Sequence, residues 1–191
     1  NACLAALREA GRSTDGVPIM ASVTIETTGT MLLGTEIEAA AEALRNYPLL
    51  SLGLNCATGP VEMAEHIHFL GRRWSRAVSV MPNAGLPVLV DGRAEYPLAP
   101  RPFAESILRY VEQDGVNIVG GCCGTTPEHI RMLADAVGGR APVKMAKEEP
   151  KRGCSSLYSA APFRQDLSAL LVGERTNTNG SRQFKRLLNE E

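Results

Sequence analysis

Apolar residues along this chain fall into short blocks, each closed by turn-forming residues and followed by a stretch with helical spacing. Residues 1–12 carry Leu4, Leu7 and Ala10 about a turn apart and stop at Gly11, which predicts the end of an amphipathic helix. Val17 to Ile25 predicts a strand ending in Glu26-Thr27-Thr28-Gly29, after which Thr35 is placed to cap a helix over 36–46. Leu49 to Leu54 predicts a second strand, closed by Asn55-Cys56, and Pro60 suits the first turn of a helix running to Arg73. Ala77 to Met81 predicts a third strand ending in Pro82-Asn83-Ala84-Gly85. A loop rich in Pro and Gly, Leu86 to Pro100, leads to a helix over 102–113. Val116 to Gly120 predicts a fourth strand, and after Gly121-Cys122-Cys123-Gly124 a helix starts at Pro127 and runs to Val137.

The strands are short, β-branched and apolar on both faces, the mark of parallel strands covered by helices. The fold class is therefore α/β. Four strand–helix units are about half of the ~250 residues of an eight-stranded barrel, so residues 1–140 are expected to be a partial (β/α)8 TIM barrel, its last four units. A complete small open sheet is the alternative. The first residue is Asn1, with neither an initiator Met nor the layout of a signal peptide, so the remaining units are expected upstream. The run Ala146-Lys147-Glu148-Glu149-Pro150-Lys151-Arg152 is charged and broken by Pro, which makes 141–168 a linker. Leu170 to Val172 then predicts a strand, and Ser181 a cap for a helix through Leu188, so 169–191 reads as the first strand–helix of a second barrel.

Composition narrows the function. With 44% hydrophobic residues the chain is no disordered segment. The 20 Lys and Arg nearly cancel the 21 Asp and Glu, which argues against nucleic acid and anionic membrane partners. The longest charge-free run, Asn46 to Val61, is too short and polar to span a bilayer. Five cysteines at irregular spacing do not suit a secreted disulfide scaffold. A reducing, cytoplasmic location is expected, with cysteines that are free, catalytic or metal-bound.

The strongest chemical signal is Gly120-Gly121-Cys122-Cys123-Gly124-Thr125-Thr126. Neighbouring side chains on a strand point to opposite faces, so two adjacent cysteines can share a metal only where the strand has ended and glycines let the backbone turn. Cys56 also ends a predicted strand, and in a barrel all such ends meet on one face. Three thiolates with a fourth position open is the layout of a reactive zinc site. Two unrelated core thiols, or a vicinal disulfide serving redox chemistry, also fit the pair. His66 and His68 are two apart on a helix and do not face each other; His129 reads as structural, and Cys3 and Cys154 receive no role.

Gly53-Leu54-Asn55-Cys56, Met81-Pro82-Asn83-Ala84-Gly85 and Gly120-Gly121-Cys122-Cys123-Gly124-Thr125 together resemble the homocysteine-binding methyltransferase barrels. The resemblance implies zinc on Cys56, Cys122 and Cys123, with Asn83 an oxygen ligand that the substrate thiol displaces. It also implies substrate contacts from Glu26, Asn55 and Asn83, with Glu26 near the substrate amino group; a turn-capping carboxylate is the other reading of Glu26. Val172-Gly173-Glu174-Arg175-Thr176-Asn177 followed by Gly180-Ser181-Arg182-Gln183-Phe184 is similar to the opening of the pterin-binding methyltransferase barrels. That tail implies pterin contacts from Glu174 and Asn177, and an arrangement similar to the cobalamin-dependent methionine synthases. Such an arrangement implies homocysteine and methyltetrahydrofolate as substrates and methylcobalamin held by another domain of the same full-length chain. A stand-alone zinc homocysteine methyltransferase using another methyl donor, or a non-catalytic zinc or interaction module, stay as alternatives.

Overall fold

In the computed structural model the described residues are 18–148, 152–164 and 180–190, with 5, 6 and 9 near the N-terminus. The elements run β1 (Ile19–Val23), α1 (Ile37–Leu44), β2 (Leu49–Asn55), α2 (Ala64–Arg73), β3 (Ala77–Met81), β4 (Val88–Val90), β5 (Arg93–Glu95), α3 (Pro100–Gln113), β6 (Ile118–Val119), α4 (Pro127–Val137), β7 (Gly153–Ser155), β8 (Ala160–Pro162) and α5 (Arg182–Asn189). Strands β1, β2, β3 and β6 form one sheet in that order, and every neighbouring pair is parallel. This is an α/β fold whose sheet is consistent with successive units of a barrel.

Period-two alternation divides the sheet. Leu52, Leu54, Val78 and Val80 are wholly buried on one face, packed with Ile67, Leu70, Trp74, Phe103 and Ile107 from the helices. The other face carries small and polar residues: Ser22, Ser51, Gly53 and Ser79. Gly53 is required there, because a Cβ would stand 2.0 Å from the carbonyl oxygen of Ser79 on the paired strand.

Two local features depart from expectation. Thr35 does not cap α1. Its carbonyl accepts from Met31 N–H at 2.8 Å, the N-cap is Glu36, and no side chain caps the helix. Glu36 N–H donates instead to Tyr158 O at 2.8 Å, so a segment well after α4 supplies the missing partner. At α4, Thr126 and His129 form a reciprocal capping box in which histidine takes the position usual for Glu or Gln. The other departure is the hairpin β4–β5, which lies inside the stretch read as loop. Its turn is Asp91-Gly92, with φ of 50° and 75°, the left-handed pair that a two-residue hairpin turn needs.

The charged stretch after α4 is stitched to the outer helices. Val143 N–H donates to Val111 O at 3.0 Å, Lys147 Nζ to Gly71 O at 2.6 Å, and Glu148 pairs with Arg72 and Arg73 at 3.1 and 2.6 Å. It continues into an antiparallel hairpin, β7–β8, which forms its own small sheet and which the linker reading did not include. Ser155 Oγ of that hairpin donates to Ala39 O at 2.9 Å. Ser181 caps α5 by accepting from Phe184 N–H at 3.2 Å. The strand expected at 170–172, with Glu174 and Asn177, lies outside the described residues. No helix among the described residues is long and apolar enough to cross a membrane.

A candidate metal centre at the strand ends

Three loops meet where β2, β3 and β6 end, and backbone hydrogen bonds lace them together. Cys56 N–H donates to Met81 O at 3.1 Å, and Asn83 N–H to Thr58 O at 3.0 Å. Cys122 N–H donates to Pro82 O at 2.8 Å, and Ala84 N–H to Cys123 O at 2.9 Å. The Asn83 loop is thus the middle strap between the two cysteine loops. Gly59 and Gly85 allow their close approach: a Cβ on Gly59 would lie 2.8 Å from Gly85 Cα.

Cys56 and Ala57 both adopt left-handed φ, 62° and 60°. Each costs a non-glycine residue roughly 1–2 kcal/mol. Two such residues in succession show that the surrounding bonds over-determine this turn, a feature that clusters at functional sites.

The result is a triad of sulfurs. Cys56 Sγ lies 3.8 Å from Cys123 Sγ, and Cys122 Sγ 3.9 Å from Cys123 Sγ, with all three within 4.8 Å of one another. Zinc–sulfur bonds of about 2.3 Å at tetrahedral angles set sulfurs about 3.8 Å apart, so the spacing fits such an ion. A disulfide needs about 2.05 Å, and all three thiols are free. Among the described residues this is the only cluster of three metal-ligating side chains.

Interactions with Cys56, Tyr96 and Cys122 lower the pKa of Cys123, whereas burial, then Cys56 and Cys123, push Cys122 up to about 11. In the metal-free cluster the neighbouring Cys56 thus adds repulsion to the burial that opposes charge on Cys122. A cation at its centre would relieve that repulsion.

Asn83 is 2% exposed, and its Oδ1 accepts from Cys123 N–H at 3.0 Å. It holds the Cys123 loop directly. Asn55 Oδ1 accepts from Ser22 Oγ at 2.9 Å, which ties the end of β2 to β1. Glu26 lies half-buried in the loop after β1, where its N–H donates to Thr30 O at 2.8 Å and its carbonyl accepts from Gly29 N–H at 2.9 Å. Its carboxylate makes no hydrogen bond or ion pair among the described residues. His68 stands apart, with Nδ1 2.8 Å from Asp114 Oδ1. Cys154 is exposed on β7, and Cys3 falls outside the described residues.

Two supporting residues escape a reading of the sequence alone. Thr125 Oγ1 donates to Cys122 O at 2.7 Å and closes the cysteine turn. Tyr96, which follows β5, lies against Gly124, next to Cys123; its phenol pKa is raised, first by interaction with Cys123 and then by burial and by the charge of Cys123, Cys56 and Cys122. The Asp91-Gly92 turn was the available signal for the hairpin that carries it.

The homocysteine S-methyltransferase family matches residues 1–137. Over 181 residues the chain is 52% identical to the methionine synthase of Mycobacterium tuberculosis (strain ATCC 25618 / H37Rv), covering 94% of this chain and 15% of that protein. The methionine synthase of Mycobacterium leprae (strain TN) is 50% identical over 184 residues, again 94% of this chain and 15% of the relative. The chain thus spans about 15% of the length of these curated relatives.

Proposed function

The chain belongs to the homocysteine S-methyltransferase family, and on that premise we propose that Cys56, Cys122 and Cys123 hold a zinc ion that activates the thiol of homocysteine for methylation to methionine. The sulfur triad, with edges of 3.8 and 3.9 Å, is the observation that carries this reading. When bound, zinc would hold an incoming thiol as thiolate at pH 7, where a free thiol of pKa about 8.5 is mostly protonated. Three protein thiolates leave the loaded centre with a net charge of −1, so a fourth sulfur stays electron-rich and nucleophilic.

The chain's own residues set the geometry for that step. Asn83 fixes the Cys123 loop through one lone pair of Oδ1, and its second lone pair would be a candidate oxygen donor to zinc, one that a substrate thiol would replace. Asn55 and Glu26, at the ends of β2 and β1, are the groups proposed for the amino-acid end of homocysteine, with the Glu26 carboxylate offered to its ammonium group. Residues 1–140 would be the last four units of a (β/α)8 barrel, 141–168 its linker, and 169–191 the start of a pterin-binding barrel with Glu174 and Asn177 toward the pterin. In the full protein, methylcobalamin on another domain would donate the methyl group and methyltetrahydrofolate would restore it. A cytoplasmic location follows from that metabolism and from the free thiols.

The test is Cys122→Ala or Cys123→Ala in the full-length protein. Zinc content and methyl transfer to homocysteine should both be lost, while methyl transfer from methyltetrahydrofolate to cobalamin survives. Retained zinc and retained homocysteine methylation would refute the assignment.

A further inference from the structure

Cys56 differs from the other two sulfurs in how it is placed, and the inference that follows rests on the zinc reading above. Cys122 and Cys123 are neighbours in the chain and turn together. Cys56 reaches them from 67 residues before Cys123, on a turn of its own. That turn has a left-handed φ at Cys56 and again at Ala57, so it relaxes unless its downstream end is held. The 3.8 Å edge from Cys56 to Cys123 therefore depends on what holds residues 58–60.

Part of the hold comes from the strand-end loops. Thr58 O accepts from Asn83 N–H at 3.0 Å, and Gly59 N–H donates to Glu62 Oε2 at 3.0 Å. The next residue is tied from outside them: the hydroxyl of Tyr110, on α3, donates to Pro60 O. Pro60 is buried, and Ala64 N–H, the donor four residues on, turns instead to Val61 O at 3.3 Å. A buried carbonyl needs a donor, and a side chain 50 residues further along supplies it.

Tyr110 is itself firmly placed. It is buried in the core with Ile67, Phe103 and Ile107. Its backbone carbonyl accepts from Asp114 N–H at 3.0 Å and from Val116 N–H at 3.2 Å, the residues that lead into β6. Asp114 Oδ1 lies 2.8 Å from Nδ1 of His68 on α2, and a Cβ on Gly71 of α2 would stand 2.4 Å from Asp114 O. The end of α3 is thus locked to α2 and to the strand that leads to Cys122 and Cys123, while its tyrosine reaches the Cys56 turn. Burial, then the charge of Asp114, raise the phenol's pKa, which keeps the group a hydroxyl donor at neutral pH.

We propose that Tyr110 is a positioning residue for the metal centre: through Pro60 O it anchors the strained turn that presents Cys56, and it ties that turn to the strand leading to Cys122 and Cys123.

Alkylation by iodoacetamide tests this without substrate or methyl donor. A thiolate sulfur attacks the methylene carbon, the carbon–iodine bond breaks, iodide leaves, and the carbamidomethylated cysteine is identified by peptide mass spectrometry. The zinc-loaded full-length protein is compared with Tyr110→Phe, which keeps the ring in the core and removes only the donor. It is also compared with His68→Ala, which unclips the same helix end without touching Pro60. Cys56 should be alkylated about tenfold faster in the Phe variant than in the parent, with Cys122 and Cys123 close to their parent rates. The His68→Ala protein should match the parent at all three cysteines. An unchanged Cys56 rate in the Phe variant would overturn the proposal. Equal acceleration of all three cysteines would assign Tyr110 a purely structural role and also overturn it, as would a His68→Ala protein that loosens Cys56 as much as Tyr110→Phe does. Zinc content is measured before alkylation, so a parent protein without zinc is recognised separately as failure of the underlying zinc reading, and of this proposal with it.

Discussion

Replacing Asn83 by Ala probes how the cysteine loops are held. The side chain is 2% exposed, and its Oδ1 is the acceptor for Cys123 N–H at 3.0 Å. Removing it deprives that donor of its partner inside the strand-end loops, which costs about 1–3 kcal/mol. This loss should appear in urea unfolding of the metal-free protein. A second loss should appear in metal binding. With its strap gone, Cys123 is free to leave the triad geometry, and re-ordering one residue's backbone costs about 1–2 kcal/mol. That corresponds to a zinc affinity weaker by a factor of about 5–30. Chelator competition on the full-length protein measures it. Asn83→Asp keeps an acceptor for the same N–H and should recover most of the stability. An Asn83→Ala protein with the parent's urea midpoint and the parent's zinc affinity would refute the reasoning. Reduced stability with unchanged affinity would confine Asn83 to the fold.

Two further predictions follow from the same contacts. His129→Ala removes the reciprocal bond at Thr126, the bond to Leu98 O and an edge contact with Phe103 at 5.3 Å; unfolding free energy should fall by about 2–4 kcal/mol in urea melts, with His129→Gln recovering part of it. Cys122 is pushed up from 9.0 to about 11 in the metal-free protein, so the unfolded chain ionises there before the folded one. Its contribution to stability is intact below pH about 9 and declines as pH rises toward about 11. Urea midpoints of metal-free protein across that range should show the decline, and Cys122→Ser should make it shallower, the buried Tyr110 phenol adding its own loss at the upper end.

The parts legible in the sequence share a cause. Apolar blocks ending in Asn55-Cys56, Pro82-Asn83 and Gly121-Cys122-Cys123 predict strands whose ends carry the chemistry, and parallel order places those ends together. Convergence of three cysteines followed from topology without knowledge of side-chain positions. What escaped depends on contacts across long sequence distances or on very short elements. Strands β4 and β5 are three residues each and exposed throughout, so they show no alternation to read. Thr35 fits a local capping rule, yet the helix N-terminus is satisfied by Tyr158, far along the chain. Tyr96 is one tyrosine after a turn until the hairpin fold sets it on Gly124. His129 read as structural, and it is; what its spacing could not reveal is that it joins the hairpin to the helix after the cysteines.

Zinc K-edge X-ray absorption on the full-length protein, with and without homocysteine, tests the central claim most directly. The account predicts zinc with three sulfur ligands and one oxygen at rest, and four sulfur ligands at about 2.3 Å once homocysteine is added. A centre that stays unchanged on adding homocysteine, or a protein purified without zinc that does not take it up, would contradict it.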